Sequence, residues 1–383
     1  MKKLFLASLC LFILGKISAQ DTVTTENEKS LYERASNVEK KTDKFNLYLN
    51  MNGSFDSNFH NGEFQQGAFN MHYFNIQAKG NINEWLSYNW RQRLNRPNNS
   101  SLSIDNLPMS IDIAGIGIKL SEKASIFAGK QFASFGGMEY YLNPIEIYQF
   151  SDMLDNITCF LTGVNFAYEV TSNHQIQLSV LNGLNNKFEY TYKVPGIEKS
   201  KLPLLYIFNW NGNLLNGAYK TRWSASLTSQ AKDRNMKYFA LGNDFTFSPK
   251  SNMFFDVMYS REELDSKGII SSLIYNGEQT AFDAEYLSFV AKLNYRIQPR
   301  WNVFVEGMYE TASVSKAYEG VAKGKYRTSF GYIGGVEYYP MKSNLHFFLT
   351  YVGRKFKHEP IAKMADYNTD RVSLGFIYQL PMF

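Results

Sequence analysis

From Lys44 to the end of the chain, apolar side chains recur at every second position. In the segment KFNLYLNMNGSF, Leu47, Leu49 and Met51 share one parity, while Asn46 and Asn50 share the other. A period of two is that of a β-strand, whose successive side chains point to opposite faces. The pattern therefore predicts strands with one apolar and one polar face.

The same alternation returns along the chain and predicts about sixteen strands. Clear examples lie within 86–94, 164–170, 219–227, 253–259, 287–297, 301–309, 345–351 and 372–380. The connections alternate between short and long. The short ones are 80–84, 121–125, 171–175, 211–217, 248–252, 298–300 and 340–344, and the long ones are 56–67, 95–107, 133–157, 182–201, 229–236, 261–284, 310–326 and 357–369.

Long loops at one end and short turns at the other are typical of barrels in the outer membrane. The sequence therefore predicts an all-β protein, a transmembrane antiparallel β-barrel over residues 44–383, with short periplasmic turns and long extracellular loops. Aromatic residues flank the predicted short turns, as they would in a girdle at the membrane surface. They are Trp85, Tyr168, Trp210, Phe247, Phe254, Trp301, Tyr338, Tyr339 and Phe347.

The first residues predict export. Lys2 and Lys3 precede an apolar run over 4–14, and Ile17-Ser18-Ala19 resembles a cleavage site, so residues 1–19 are a predicted signal peptide. Residues 20–43 are polar and charged and form a predicted periplasmic lead-in. Removing the signal takes three lysines from a net charge of +5 and leaves about +2, which gives no reason to expect nucleic-acid binding.

Charged residues on the polar parity are predicted to line a pore, because a Lys or Arg facing lipid near the bilayer centre costs about 2–4 kcal/mol. The predicted basic lining is Arg91, Arg93, Lys220, Arg222, Lys292, Arg296, Arg354 and Arg371. The predicted acidic lining is Asp112, Glu169, Asp244, Asp256, Glu306 and Glu337. Two interpretations stay open: a transverse field with mild anion preference, or neutralising pairs on a solvated wall.

The long connection over 133–157 is rich in aromatic residues and contains Gly136-Gly137 and Pro144, which predict bends in an ordered loop. We expect it to fold into the lumen as a constriction loop, the alternative being an ordered surface loop. Its residues of interest are Gly136, Gly137, Glu139, Tyr140, Pro144, Glu146 and Asp152.

The segment GKQFASFGGMEYYLNPIEIYQFSDMLDNITCFLTGV resembles the central part of the porin O/P family, the phosphate-selective porins, as found in Bacteroidetes-type outer membranes. The resemblance implies a sixteen-stranded pore, a homotrimer and an inward third loop. Phosphate-selective members place basic residues at the constriction. Here the interval 131–186 holds no Lys or Arg but carries Glu139, Glu146, Asp152 and Asp155. A phosphate ion would be repelled by such a loop.

The expected function is passive diffusion of small hydrophilic solutes, with anions such as phosphate among the candidates. Five histidines show no paired metal-ligand spacing, and neither a G-x-S-x-G element nor a Gly-rich phosphate loop is present. We therefore expect no catalytic residue, metal or cofactor, and partners limited to membrane lipid and the permeating solutes. A structural or adhesive barrel, or less favourably a barrel hydrolase, remains the alternative.

Overall fold

The computed structural model describes residues 42–100 and 102–382. The predicted signal peptide, most of the predicted lead-in and Phe383 lie outside these residues. Within them, no helix is long and apolar enough to cross a bilayer.

Sixteen antiparallel strands form one closed barrel, in which each strand pairs with its neighbours in the chain and β1 pairs with β16. This confirms the predicted fold. The strands are β1 Asn46–His60, β2 Glu63–Asn81, β3 Leu86–Arg93, β4 Ile111–Lys119, β5 Ala124–Phe132, β6 Phe160–Thr171, β7 His174–Asn182, β8 Leu204–Leu214, β9 Tyr219–Ala231, β10 Arg234–Ser248, β11 Ser251–Leu264, β12 Phe282–Gln298, β13 Trp301–Val314, β14 Gly324–Tyr338, β15 His346–His358 and β16 Tyr367–Pro381.

The helical elements in the connections are short. They are α1 Asp152–Asp155, α2 Phe188–Thr191 and α3 Ile269–Tyr275, with single-turn 3₁₀ helices at Glu139–Tyr141, Pro144–Glu146, Leu215–Gly217 and Pro360–Ala362. The first two of these 3₁₀ helices lie, together with α1, in the connection between β5 and β6. We call this connection, residues 133–159, the inner loop.

Two connections predicted as long loops are two-residue turns instead. Strands β1 and β2 continue through most of the predicted loop 56–67, and the turn between them consists of Asn61 and Gly62. These two residues have φ values of 51° and 82°. Positive φ at both central residues is the geometry that an Asn-Gly hairpin adopts, so the sequence carried the signal for the turn. The predicted loop 229–236 likewise narrows to residues 232–233, between β9 and β10.

Alternation along the strands separates an exposed apolar face from a buried inner face. In β7 the outward residues Leu178 and Val180 are 51% and 45% exposed, while Ser179 between them is 3% exposed. The outward residues are apolar because lipid surrounds a barrel of this kind, and a polar group there would lose its hydrogen bonds to water.

Bulges keep this alternation consistent where the sequence changes parity. One lies at His72, where Asn52 pairs with Tyr73 but Gly53 pairs with Met71. Another lies at Asp112, since Arg91 pairs with Ile113 and Gln92 with Ile111. An extra residue in one strand shifts the parity by one. The second bulge therefore turns the Asp112 carboxylate toward Arg91 and Arg93.

The inner face of the barrel has two unlike sectors. From β1 to β3 and from β6 to β9 it carries amides and hydroxyls, among them Asn50, Asn75, Gln77, Asn165, Ser179, Asn209, Asn211, Thr221 and Ser226. From β10 to β16, which we call the apolar sector, large apolar side chains alternate with charged ones such as Asp256, Glu306 and Arg354; the apolar ones are Tyr238, Phe254, Met258, Tyr286, Val290, Phe304, Met308, Ile333, Phe348, Val352 and Ile377. Apolar side chains therefore share the inner parity of these strands with the charged side chains that the alternation predicted there. Phe254, predicted for the girdle, belongs to this inner face.

Candidate functional site: the inner loop and the lumen wall

The inner loop crosses the inside of the barrel. It leaves β5 and returns to β6, yet its backbone groups and the Tyr148 hydroxyl form hydrogen bonds with side chains of β1, β9, β11 and β13–β16. Strand β13 lies eight strands away from β5 in a closed barrel of sixteen. A connection can reach it from β5 only through the lumen. The apolar sector is therefore the surface on which this loop packs.

Two glycines bring the loop backbone against β9. Gly136 and Gly137 have φ values of 73° and 84°, and the Gly137 amide donates to the carbonyl oxygen of Arg222 at 2.9 Å. A Cβ atom on Gly136 would lie 2.7 Å from Oγ of Ser224, which donates to the Phe135 carbonyl. Only glycine satisfies both the positive φ and this close approach.

The next turn of the loop is held by a carboxylate from the wall. Asp256 accepts hydrogen bonds from the backbone amides of Met138 and Glu139, at 2.7 and 2.8 Å. Glu139 in turn accepts from the amide and the hydroxyl of Ser151, at 2.9 and 2.8 Å. This second pair of bonds closes the loop on itself. Burial, with the charge of Glu306 adding to it, raises the pKa of Glu139 well above its usual value.

Aromatic packing fixes the middle of the loop near the short-turn end. Tyr148 stacks on Phe304 with ring centroids 5.0 Å apart and donates its hydroxyl to Glu337 at 2.7 Å. The carbonyl of Tyr148 accepts from Arg371 at 2.5 Å. Pro144 begins the 3₁₀ turn that ends at Glu146, whose carboxylate lies 3.5 Å from Nε2 of His346.

A cluster of buried charges anchors the end of the loop. Asp152 pairs with Arg354 at 2.7 Å and with Arg327 at 2.5 Å, and its backbone amide donates to Glu310 at 2.6 Å. Arg354 also pairs with Glu310 at 2.9 Å. We call Asp152, Arg327, Arg354 and Glu310, with Ser329 donating to Asp152, the anchor cluster. Its charges balance, as a buried cluster of ionised groups requires.

The predicted pore-lining residues divide into two groups in the structure. Asp256, Lys292, Glu306, Glu337, Arg354 and Arg371 belong to β11–β16, and four of them bond directly to the inner loop. Lys292 and Glu306 pair with each other at 3.7 Å, and the Lys292 ammonium lies over the rings of Phe304 and Tyr148. These residues surround the loop.

The other predicted residues, apart from Arg296, lie along the polar sector or on the neighbouring strand β10. Arg91 and Arg93 both pair with Asp112, at 3.3 and 2.8 Å. Arg222 lies over the ring of Tyr141, at 4.7 Å from the centroid. Glu169 accepts from Gln175 in the amide network. Lys220 of β9 pairs in register with Asp244 of β10, and Arg296 lies in the other sector, near the short-turn end of β12; each of these three residues has an interaction partner.

Sequence reasoning missed Glu310 and Arg327 because both fell at the limits of the predicted loop 310–326. The strands extend further, to Val314 in β13 and from Gly324 in β14. Glu310 has the same parity as Glu306, and so continuing the alternation of β13 would have found it. Among the described residues, no group of three or more His, Cys, Asp or Glu side chains is arranged to hold a metal ion.

With the lumen described, the class of the protein follows: a sixteen-stranded closed barrel with an inward loop is a porin. The family comparison is more specific. Residues 45–380 match the family "Phosphate-selective porin O and P", and the chain belongs to that family. It is an outer-membrane porin channel. No curated protein sequence matches the chain at a significant level.

Solved structures agree with the fold. The outer-membrane channel DcaP of Acinetobacter baumannii has a TM-score of 0.62 at 14% identity, covering 88% of this chain and 97% of its own. OmpF of Salmonella typhi has a TM-score of 0.58 at 14% identity, over 88% and 98% of the two chains. The anion-selective porin of Comamonas acidovorans reaches 0.55 at 7% identity, over 88% and 99%. At these identities the likeness extends to the fold alone.

Proposed function

We propose that small hydrophilic solutes diffuse passively through this porin along the polar sector, between that wall and the inner loop. The observation that carries the proposal is the different way in which the loop is attached on its two sides. Phe135 and Tyr148 pack on aromatic rings of β10, β13 and β15, whereas toward β7 and β8 the loop forms hydrogen bonds, from Ser134 to Gln177 at 2.6 Å and from Tyr141 to Asn211 at 3.0 Å. The inner loop then acts as the constriction.

The polar sector has the chemistry of a path for hydrated solutes. Gln177 donates to Gln175 at 2.6 Å, Gln175 accepts from Asn211 at 2.9 Å, and Asn211 accepts from the Tyr141 hydroxyl of the inner loop at 3.0 Å. Amides both donate and accept, so they can exchange partners with water or a passing hydroxyl group. Gln177 is half-buried and also accepts a hydrogen bond from Ser134 of the inner loop at 2.6 Å.

Phosphate is not favoured as the preferred solute. Arg91 and Arg93 share Asp112, Lys292 has Glu306, and Arg354 has both Asp152 and Glu310. These carboxylates reduce the positive charge that a partly dehydrated phosphate ion would need, while Arg222 lies over the Tyr141 ring and Arg371 donates to the Tyr148 carbonyl. We therefore propose weak ion selectivity. The family supports a channel rather than the hydrolase or adhesive alternatives.

Cysteine scanning tests the route. In a Cys159→Ser background, Gln177→Cys and Gln77→Cys place thiols in the polar sector, and Met308→Cys places one in the apolar sector. A charged methanethiosulfonate added to open pores should reduce conductance for the first two variants and leave Met308→Cys unchanged. Reaction confined to Met308→Cys would overturn the proposed route.

Reversal potentials test the selectivity. In asymmetric KCl we expect a value close to zero, and titration with inorganic phosphate should leave the chloride current unchanged. A strongly anion-selective potential, with chloride current blocked by millimolar phosphate, would contradict weak selectivity while leaving the pore itself established.

We also propose that the barrel assembles as a homotrimer in outer-membrane lipid. OmpT of Vibrio cholerae, described in a trimer form, has a TM-score of 0.53 with this chain at 10% identity. Light scattering of the detergent-extracted protein should give three times the mass of one chain, and a monomer mass would refute this assembly.

A further inference from the structure

A second cavity lies outside the proposed route. It has a volume of about 350 Å³ and opens at the long-loop end, between α1 of the inner loop, α3 and the ends of β14–β16. Pockets of about 300–1,000 Å³ hold small ligands. The lining residues used below are Asp152, Arg327, Ile269, Leu273, Met364 and Tyr367.

The floor of this cavity is a paired carboxylate and guanidinium. Asp152 and Arg327 lie 2.5 Å apart, and their side chains are 18% and 12% exposed, so both reach the cavity. Behind them, Arg354 and Glu310 balance each other's charge. The floor is neutral as a whole but presents one negative and one positive group side by side.

Such a floor discriminates between charge types. A simple anion attracted by Arg327 would meet the Asp152 carboxylate, and a simple cation would meet the guanidinium. Lys267, also on the lining, adds no free charge, because its ammonium is fully buried against Glu262 and Ser260. A ligand with an ammonium and a carboxylate on the same carbon atom fits both groups at once. The α-carbon of a free amino acid carries that pair.

The walls above the floor carry large apolar side chains, among polar ones from Asn156, Ser272 and His358. Ile269 and Leu273 come from α3, and Met364 faces them from the connection before β16. Tyr367 completes the wall, and its ring is held by stacking on Phe356 at 4.6 Å. An aliphatic or aromatic side chain placed here would lose contact with water, which favours binding by about 25 cal/mol for each Å² of apolar surface buried.

We propose that this cavity is a docking site at the outer mouth for free α-amino acids with large apolar side chains. The proposal rests on the proposed pore function, since the bound amino acid would lie beside the attachment of the inner loop. It adds a solute class that the polar sector does not select.

Solute-induced current interruptions test the site. Single pores in planar bilayers are exposed to L-leucine from each side in turn, and to three analogues: 4-methylpentanoate lacks the ammonium, isopentylamine lacks the carboxylate, and glycine lacks the side chain. Leucine should interrupt the current from the long-loop side, with each analogue at least about tenfold weaker, the equivalent of 1.4 kcal/mol. Equal blocking by any analogue would overturn the proposal.

A matched pair of variants locates the effect. Ser272 is exposed on α3 and lines the cavity, so Ser272→Trp should fill it and abolish the leucine events. Ala317, exposed on another loop outside the lining, gives the control Ala317→Trp, which should retain them. Normal KCl conductance without leucine events in the unmodified protein, or events that persist in Ser272→Trp, would refute the site alone. Absence of any conductance would instead refute the pore.

Discussion

Arg354→Met tests how the inner loop is held. The side chain of Arg354 is 7% exposed and bridges Asp152 and Glu310, at 2.7 and 2.9 Å. Methionine keeps much of the volume but removes the charge. Breaking a buried ion pair by removing one partner costs about 3–5 kcal/mol. Asp152 retains Arg327, and Glu310 retains Ser288, so we expect the lower end of that range.

The cost falls mainly on the docked position of the loop, because the strands keep their ladder hydrogen bonds. A loss of about 3 kcal/mol shifts the balance between docked and released loop by about a hundredfold. We expect larger current noise and more frequent transitions to higher conductance. Cys159, at the end of the inner loop, supplies an independent readout, since burial raises the pKa of its thiol to about 12. Maleimide labelling at neutral pH should be slow in the unmodified protein and faster in the variant.

The matched control is Lys355→Met. Lys355 is the next residue of β15 and is exposed, so its replacement removes a positive charge without touching the anchor cluster. We expect conductance and labelling to stay as in the unmodified protein. If Arg354→Met behaves like Lys355→Met in both assays, the anchor cluster does not hold the loop and the reasoning fails.

Three further predictions follow from single positions. Leu178→Arg, on the lipid face, should reduce the free energy of unfolding by about 2–4 kcal/mol, measured by urea titration of the protein in vesicles. Gln177→Arg, on the inner face, should reduce it by less. Equal reductions would contradict the assigned faces. The pKa of Glu139 is raised in the folded protein, so its contribution to stability falls as the pH rises above its unfolded pKa. Glu139→Gln should therefore flatten the dependence of the unfolding free energy on pH and stabilise the protein at pH 8 relative to pH 4. An unchanged pH dependence would count against this account. Gly136→Ala should make the inner loop more sensitive to proteolysis than Gly62→Ala makes the β1–β2 turn. Both glycines have a positive φ, but only a Cβ atom on Gly136 would have a neighbour within 3 Å. Equal sensitivity would refute the packing argument.

Much of the barrel could be predicted from the sequence, because lipid imposes a strict alternation on every strand. Leu47, Leu49 and Met51 face outward, and Asn46 and Asn50 face inward, as their parity requires. Strand ends were harder to predict. Above the membrane no lipid selects for apolar residues, so the alternation fades while the backbone pairing continues. The hairpin at Asn61-Gly62 lies in that region.

The contents of the lumen could be predicted only in part. The parity of a residue along its strand identifies which charged side chains point inward. Which of these charges form ion pairs depends on strand register and on bulges such as the one at Asp112. The path of the inner loop was harder still, since its contacts with Asp256 and Arg354 join residues more than a hundred positions apart in sequence. The apolar inner face did leave a signal. Phe304 and Met308 interrupt the polar parity of β13, on which Glu306 and Glu310 also lie.

Planar-bilayer recording of the purified, folded protein is the most direct test of a water-filled path past the inner loop. The account predicts stepwise insertions, each with an ohmic conductance that scales with KCl concentration. Protein that inserts as a folded, protease-resistant barrel yet passes no current at any KCl concentration would contradict it.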